Sequence, residues 1–403
     1  MAVGLVVPGD LLPIGGIRLA TACAGIKAGA TKDDLVLIEL QAGARVAAVF
    51  TRNRFCAAPV VIARRHLETR GDVRYLLINS GNANAGTGQQ GEENALATCQ
   101  QLAELVQQPA TSVLPFSTGV IGQQLPLQRV QNALPILLDK LQADNWLAAA
   151  RGIMTTDTLP KAISRQVTID HRTVTITGIS KGSGMIKPDM ATMLAYIATD
   201  AQIDSEQLSR CLHRAVETSF NAITVDGDTS TNDACVLIAT GQSAVPVDDS
   251  NEIFMAALNE VFQFLAQAIV RDGEGATKFV EIQVNGANSQ ADARALAYTI
   301  AHSPLVKTAL FASDANWGRI LAAIGRAPLD DLRIDAIDLF LGDLCLLRNG
   351  LPDAGYSEEK GQAEVSKQDI VIRVDLNQGQ ISTIVWTTDL SYDYVKINAE
   401  YRS

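Results

Sequence analysis

The sequence is poor in the residues that build metal centres and disulfide frameworks. It contains four histidines and six cysteines in 403 residues. The cysteines are widely scattered and never fall as C-x-x-C, and no two histidines have the H-x-x-x-H or H-E-x-x-H spacing of a zinc site. We therefore expect no metal ion, and we expect small reduced thiols rather than disulfides.

The sequence also lacks an excess of positive charge. Lysine and arginine together number 33 against 44 acidic residues, which gives a net charge of −11, and no basic cluster is longer than a pair. Phosphate binding requires a basic face, so we expect no nucleic-acid partner. No apolar run reaches membrane-spanning length, and the first ten residues carry no basic leader. The sequence therefore predicts a cytoplasmic protein without membrane association.

What the sequence does contain is enough apolar material, 47%, for a sizeable core. Apolar periodicity predicts long helices over 92–106 and 252–272. It also predicts two hairpins, one from residues 35–40 and 44–50 and one from residues 166–169 and 173–176. Hairpins among alternating helices and strands make a purely parallel, doubly wound sheet doubtful and favour a mixed α/β fold.

One stretch carries most of the chemical information. Residues 181–196 read K-G-S-G-M-I-K-P-D-M-A-T-M-L-A-Y, with glycines and a proline in the first half and a continuous apolar run in the second. The first half disfavours helix and central strand, and the second half predicts a buried strand. A loop thus delivers Ala191-Thr192 to the start of a core strand. By itself, a threonine there is an ordinary β-branched strand residue.

Four further motifs have an ordinary structural interpretation, and the first of them also has a chemical one. S-T-G-V-I-G at 117–122 could cap a helix, or could turn a hydroxyl and a glycine N–H toward developing negative charge. T-T-D-T at 155–158 reads as a solvated turn, and D-G-E-G-A-T-K at 272–278 as a helix stop. The last six residues, N-A-E-Y-R-S at 398–403, would ordinarily be frayed.

The stretch from 181 to 194 closely resembles the self-processing motif of the ornithine acetyltransferases, also called glutamate N-acetyltransferases. Every fixed position of the pattern K-G-S/A-G-M-I/L-x-P-x-M-A-T-M-L is matched, and matched motifs cover essentially the whole chain. The resemblance implies a layered α/β/β/α sandwich with mixed sheets, of the N-terminal-nucleophile type. It also implies that the chain cuts itself between Ala191 and Thr192. The fragments 1–191 and 192–403 would be intertwined and fold together as one unit.

The resemblance also assigns roles to individual residues. Thr192, as the new N-terminus, would be the nucleophile, and Thr118 and Gly119 would form the oxyanion hole. Lys181 would hold the substrate carboxylate. The full set of implied substrate contacts is Thr155, Lys181, Thr192, Glu274, Asn398 and Ser403.

The implied reaction is a ping-pong transfer within the cyclic pathway of arginine biosynthesis. N-acetylornithine would acylate Thr192, ornithine would leave, and glutamate would accept the acetyl group. No cofactor is expected. Some members also acetylate glutamate from acetyl-CoA, and no residue in this sequence decides whether acetyl-CoA is a co-substrate. We expect a heterotetramer of two alpha chains (1–191) and two beta chains (192–403).

Two other classes of protein remain open at the level of sequence. A Thr-nucleophile amidohydrolase or aminopeptidase on a similar fold would share Thr192 and the oxyanion pair. Such an enzyme need not retain Lys181, Glu274 and the C-terminal pair. A non-enzymatic binding protein would never be cleaved, and would give one band rather than two on a denaturing gel.

Overall fold

The computed structural model describes residues 2–26, 31–69, 71–187 and 193–400. Ala191, Thr192 and Ser403 lie outside these described residues. The chain divides into two compact units. The large unit comprises Val7–Asn221 and Asp228–Ile269, and the small unit comprises Met1–Val6, Ala222–Gly227 and Val270–Ser403.

Strands and helices alternate along the described residues, as the sequence predicted. The strands are β1 Ile17–Ala22, β2 Leu35–Leu40, β3 Arg45–Phe50, β4 Tyr75–Asn82, β5 Val113–Val120, β6 Lys161–Ile169, β7 Arg172–Lys181, β8 Leu194–Thr199, β9 Ala234–Ala239, β10 Phe279–Ala287, β11 Asp338–Leu341, β12 Leu344–Arg348, β13 Leu351–Pro352, β14 Asp369–Asp375 and β15 Ile381–Thr388. The helices are α1 Ala58–Glu68, α2 Gly88–Val106, α3 Leu127–Asp139, α4 Trp146–Gly152, α5 Ser205–Glu217, α6 Glu252–Arg271, α7 Gln290–Ala301, α8 Pro304–Phe311, α9 Trp317–Gly325, α10 Glu358–Val365 and α11 Tyr392–Ala399.

The large unit consists of two mixed sheets packed face to face. The four-stranded sheet has the order β1-β2-β4-β5, and the five-stranded sheet has the order β3-β9-β8-β7-β6. The pairs β4·β5 and β8·β9 are parallel and the other neighbours are antiparallel. Apolar side chains of both sheets, such as Ile38 and Phe116 from one and Tyr196 and Val236 from the other, form one shared core.

Helices cover the outer faces of both sheets. Side chains of α1, α2 and α3 pack against the outer face of the four-stranded sheet in a second core. On the five-stranded sheet, α5 contacts β3 and β9, and α6 lies so close to β7 that a Cβ on Gly178 would come within 2.9 Å of Leu265. All six residues of β8 are buried, because a strand covered on both faces needs apolar side chains at every position. The predicted α/β/β/α sandwich with mixed sheets is confirmed.

One predicted hairpin is confirmed and the other is wrong. β6 and β7 pair antiparallel from Ile169 opposite Arg172, as expected. Residues 35–40 and 45–50, however, lie in different sheets, where β2 pairs with β1 and β4 while β3 pairs with β9. The segment between them carries the chain from one layer to the other. The sequence pattern of two apolar strands joined by a short turn is compatible with both arrangements. The strands can pair as a hairpin, or they can lie in two layers that face each other.

The five-stranded sheet contains strands from both predicted fragments. β3, β6 and β7 precede residue 191, whereas β8 and β9 follow residue 192, and β7 pairs directly with β8. The boundaries of the two compact units do not coincide with the predicted fragments 1–191 and 192–403. The division into fragments stays a prediction, since Ala191 and Thr192 lie outside the described residues.

The small unit is built on one six-stranded sheet of order β13-β12-β11-β14-β10-β15. Helices α7, α8, α9 and α10 contribute side chains to a core on this sheet.

Among the described residues, α6 is the one helix long and apolar enough to cross a membrane by length and composition. Of its most apolar 18-residue segment, 61% is buried in the protein. This corrects the expectation that no apolar run reaches such a length.

Candidate active site

Three strand ends meet at one edge of the five-stranded sheet. Lys181 at the end of β7 lies opposite Leu194 at the start of β8, and Leu194 lies beside Ala234 at the start of β9. Met193, which directly follows the predicted nucleophile in the chain, accepts a hydrogen bond of 2.9 Å from the backbone N–H of Ala234. The predicted nucleophile therefore precedes the central strand of this sheet.

The facing sheet brings Thr118 to Lys181. The Nζ of Lys181 donates a hydrogen bond of 3.2 Å to Thr118 Oγ1, and each residue is only 8% exposed. Lys181 is therefore a buried lysine, although the glycines that follow it in the sequence would also suit an exposed loop. Two residues 63 positions apart in the sequence, each predicted to belong to the site, are in direct contact.

Gly119 occupies a position that tolerates no side chain. Its φ is +134°, and a Cβ there would lie 2.3 Å from the carbonyl carbon of Gly81 and 2.5 Å from the backbone nitrogen of Asn82. The pairing of β4 and β5 shifts register at this point. Close approach of two backbones thus accounts for the glycine on packing grounds, and its role in an oxyanion hole stays a prediction.

Amide side chains hold Ser117, the residue before Thr118. Ser117 Oγ donates to Asn79 Oδ1 at 2.5 Å. Asn232 Nδ2 donates to the carbonyl oxygens of Ser117 at 2.9 Å and Ala83 at 2.6 Å. Sequence reasoning assigned no role to Asn79 or Asn232. The structure shows that they hold the end of β5 in place.

The T-T-D-T turn is anchored by its aspartate, which sequence reasoning missed. Asp157 Oδ1 accepts hydrogen bonds from Lys161 Nζ at 2.6 Å and from the N–H of Gly182 at 2.7 Å, and Oδ2 accepts from the N–H of Thr155 at 2.9 Å. The side chains of Asp157 and Lys161 are fully buried. Burial opposes ionisation, but the charges of Lys161 and Lys181 outweigh it and hold the pKa of Asp157 below its usual value.

This buried ion pair connects two of the sequence motifs. Through Asp157, the turn that carries Thr155 is tied to Gly182, directly after Lys181. A second tie joins Thr156 Oγ1 to Ser183 Oγ at 2.7 Å. A signal was present in the sequence, since the apolar Ala162 and Ile163 directly follow Lys161 at the start of β6, and a buried lysine needs a partner.

Replacing Asp157 with asparagine is expected to lower the free energy of unfolding by about 3 kcal/mol, because it breaks the fully buried ion pair with Lys161. Asparagine keeps an oxygen that can accept from the backbone donors. We therefore expect a loss of stability at the lower end of the range that is typical of broken buried ion pairs. The native pKa of Asp157 lies below its unfolded value. The contribution of the Asp157 carboxylate to the free energy of unfolding is therefore complete above about pH 4 and is lost as the pH falls through the native pKa.

Chemical denaturation of both proteins at pH 7 and in acid measures this effect. The difference between wild type and Asp157→Asn should be full at pH 7 and should shrink in acid. A second variant, Lys161→Met combined with Asp157→Asn, should recover part of the loss, since it also removes the buried charge of Lys161. Equal stability of Asp157→Asn and wild type at pH 7 would contradict the prediction.

In the small unit, the D-G-E-G turn carries Glu274 against helix α11. Asn398 Nδ2 donates to Glu274 Oε2 at 2.8 Å and to the carbonyl oxygen of Tyr394 at 3.0 Å, and Glu274 is only 8% exposed. Gly275 has φ +68°, and a Cβ there would meet the backbone nitrogen of Tyr394 at 2.4 Å. Ser391 Oγ donates to the carbonyl oxygen of Gly275 at 2.6 Å. Two further predicted site residues are thus paired within this unit.

The predicted site residues fall into three groups. The large unit holds Thr118, Gly119, Thr155 and Lys181, and the small unit holds Glu274 and Asn398. Ala191, Thr192 and Ser403 lie outside the described residues. Within the parts of the chain that the structure describes, no three His, Cys, Asp or Glu side chains are grouped so as to hold a metal ion.

Comparison with known proteins identifies the family. The family model described as "ArgJ family" matches residues 18–403. The chain belongs to the ArgJ family. It is 53% identical over 408 residues to the arginine biosynthesis bifunctional protein ArgJ of Pseudomonas syringae pv. tomato, covering 100% of both chains. It is 54% identical over 397 residues to the protein of the same name from Methylococcus capsulatus, covering 98% of this chain and 97% of that one.

A solved structure of an ArgJ protein, from Bacillus halodurans, is 41% identical to this chain. The match covers 50% of this chain and 96% of that chain, with a TM-score of 0.48. Membership of the ArgJ family confirms the family predicted from the sequence motifs and its enzyme class, a glutamate N-acetyltransferase. The alternatives of an amidohydrolase or aminopeptidase and of a non-enzymatic binding protein are not supported.

Proposed function

We propose that this ArgJ protein transfers the acetyl group of N-acetylornithine to glutamate through an acetyl ester on Thr192, as a step in arginine biosynthesis. The observation that carries the proposal is the buried contact of Lys181 with Thr118 at the sheet edge where β8 begins. It supports the proposal because it brings a cation, which can bind a carboxylate, and a hydroxyl group together beside the strand that follows Thr192.

The proposed chemistry requires a cut before Thr192. A threonine hydroxyl is a weak nucleophile at neutral pH and needs a base. An N-terminal threonine supplies one in its own α-amino group, whose ordinary pKa is about 8. The chain therefore cuts itself between Ala191 and Thr192 into fragments 1–191 and 192–403. Pairing of β7 with β8 supports this proposal, since it would hold the fragments together after the cut.

Thr118 and Gly119 form the proposed oxyanion hole. The hydroxyl oxygen of Thr118 accepts a hydrogen bond from the Lys181 ammonium. Its own O–H is then free to donate, and the nearby positive charge makes it a stronger donor. That donor would face the negative charge that develops on the acetyl carbonyl oxygen in both half-reactions.

Side chains whose charges are opposite to those of the substrate groups would hold the two substrates. The ammonium of Lys181, fixed against Thr118, suits the carboxylate that both substrates carry. The carboxylate of Glu274, oriented by Asn398, suits an ammonium group of ornithine or glutamate. The remaining proposed substrate contacts are Thr155, Asn398 and Ser403.

Three further features belong to the proposal. The word "bifunctional" in the names of the relatives supports a second activity, acetylation of glutamate with acetyl-CoA as co-substrate. The transfer reaction itself uses no cofactor. The enzyme works in the cytoplasm as a heterotetramer of two alpha and two beta chains.

Incubation with N-acetylornithine alone is expected to add one acetyl mass to the fragment that begins at Thr192, because the acetyl group must wait on the enzyme while ornithine leaves. With both substrates, double-reciprocal plots should be parallel, as ping-pong kinetics requires. Mass spectrometry of the acid-quenched enzyme and initial-rate assays test this. Intersecting plots without an acetylated fragment would instead indicate direct transfer between two bound substrates.

A further inference from the structure

Asp233 is a buried acid at the same sheet edge, and none of the roles above uses it. It immediately precedes β9, and Met193 immediately precedes the neighbouring parallel strand β8. The hydrogen bond from Ala234 N–H to the Met193 carbonyl oxygen fixes this register. On the other side, the Asp233 carbonyl oxygen accepts from the Thr51 N–H at 3.0 Å. The acid is therefore held beside the residue that follows the proposed cleavage position.

The side chain of Asp233 is incompletely satisfied. The residue is 3% exposed, and its Oδ2 has no hydrogen-bond partner among the described residues. Such an atom costs about 1–3 kcal/mol and is rare in native proteins. Burial raises the pKa of Asp233 well above its usual range, although hydrogen bonding from Ser230 and the charge of Lys181 oppose the shift. Burial thus favours the neutral carboxylic acid, which has one O–H donor and one carbonyl acceptor.

Self-cleavage has a proton-transfer requirement that acetyl transfer does not share. Before the cut, the nitrogen of Thr192 is part of a peptide bond, so the α-amino base of the mature enzyme does not yet exist. The hydroxyl of Thr192 must nevertheless lose a proton, and the nitrogen that leaves Ala191 must gain one. A different group has to carry that proton.

Other titratable groups facing this edge are poorly suited to the task. Lys181 is a cation that already donates to Thr118. Asp157 is occupied by three donors and its pKa is held low, so it is a weak base. Burial raises the pKa of the Cys56 thiol, which lies within electrostatic reach of Asp233 and Arg64. Asp233 alone among these combines an acidic proton with an unpartnered oxygen.

We propose that Asp233 transfers the proton in self-cleavage, an inference that rests on the proposed cut before Thr192. As Thr192 Oγ attacks the carbonyl carbon of Ala191, one carboxyl oxygen of Asp233 takes the hydroxyl proton. The other oxygen gives its proton to the peptide nitrogen, and the C–N bond breaks. The product is an ester between Ala191 and Thr192 Oγ, with a free α-amino group and Asp233 neutral again.

Water completes the reaction. It attacks the ester carbonyl, the bond from carbon to Oγ breaks, and the carboxyl group of Ala191 and the hydroxyl of Thr192 result. Because Asp233 gains one proton and loses one, the relay places no net charge on the buried carboxyl group. This suits a site from which water is largely excluded.

The test follows cleavage of the full-length chain after pulsed cell-free synthesis. Asp233→Asn keeps the size of the side chain and removes its exchangeable acid proton, so cleavage should slow by at least about 100-fold. Asp228→Asn is the matched control, because Asp228 is exposed on the same loop, and it should cleave at the wild-type rate. Molecules of Asp233→Asn that do become cleaved should transfer acetyl groups with wild-type kcat. A purely structural defect would lower both rates.

A second measurement remains decisive if Asp233→Asn fails to fold. The cleavage rate of newly made wild-type chain should fall as the pH rises through the pKa of Asp233, since a carboxylate has no proton to give. Cleavage of Asp233→Asn at the wild-type rate, a reduced kcat of its cleaved molecules, or a wild-type cleavage rate that rises steadily with pH would each overturn the inference. Thr192→Ala separates the two proposals: if it too is cleaved, the proposed cut itself fails, whereas an intact Thr192→Ala beside a normally cleaved Asp233→Asn refutes only the role of Asp233.

Discussion

Thr192→Ala is expected to leave the chain as a single polypeptide, while the wild-type protein yields a fragment whose sequence begins T-M-L-A-Y. Alanine lacks the Oγ that would attack the carbonyl carbon of Ala191, so the ester intermediate cannot form. Intact-mass measurement and N-terminal sequencing of freshly purified protein report both species directly. Acetyl transfer should be lost together with cleavage, because the same atom carries the acetyl group.

Two controls sharpen this experiment. Thr192→Ser keeps a hydroxyl at the same position and should still be cleaved. The uncleaved Thr192→Ala chain should unfold much like wild type, since β7 and β8 pair along their own backbones in either state. Efficient cleavage of purified Thr192→Ala at the same bond would show that a protease, or another nucleophile, makes the cut.

Thr118→Ala is expected to lower kcat by roughly two to three orders of magnitude, or about 3–4 kcal/mol, the usual effect of losing one oxyanion donor. The hydroxyl is buried and polarised by Lys181, so water cannot easily replace it. KM should change less, because the interaction strengthens only as negative charge develops on the acetyl oxygen. Thr118→Ser retains the donor and should stay far closer to wild type.

The measurement must count only cleaved molecules, because the same oxyanion hole would also serve the cut before Thr192. Initial rates divided by the amount of the 192–403 fragment give a kcat free of this effect. If that kcat stayed at the wild-type value while KM rose, Thr118 would be a substrate-binding residue rather than an oxyanion donor.

The sequence by itself determined the local features and the family. The apolar run after Thr192 predicted the buried strand β8, and the polar interruption at 170–172 predicted the β6–β7 hairpin, because both depend on neighbouring residues. The unbroken motif at 181–194 and the four others indicated an ornithine acetyltransferase, which membership of the ArgJ family confirms. Such motifs can be recognised from the sequence alone because their residues are contiguous.

Only the tertiary structure decided which side chains touch. It separated β2 from β3 into facing layers, where the turn between them had suggested a hairpin. It placed Lys181 on Thr118, paired Asp157 with Lys161, and buried Asp233 beside Met193. These partners lie in strands or in the loops that adjoin them, and their positions depend on the packing of one sheet on another. The energy of a buried charge depends on that packing, and residue order along the chain does not specify it.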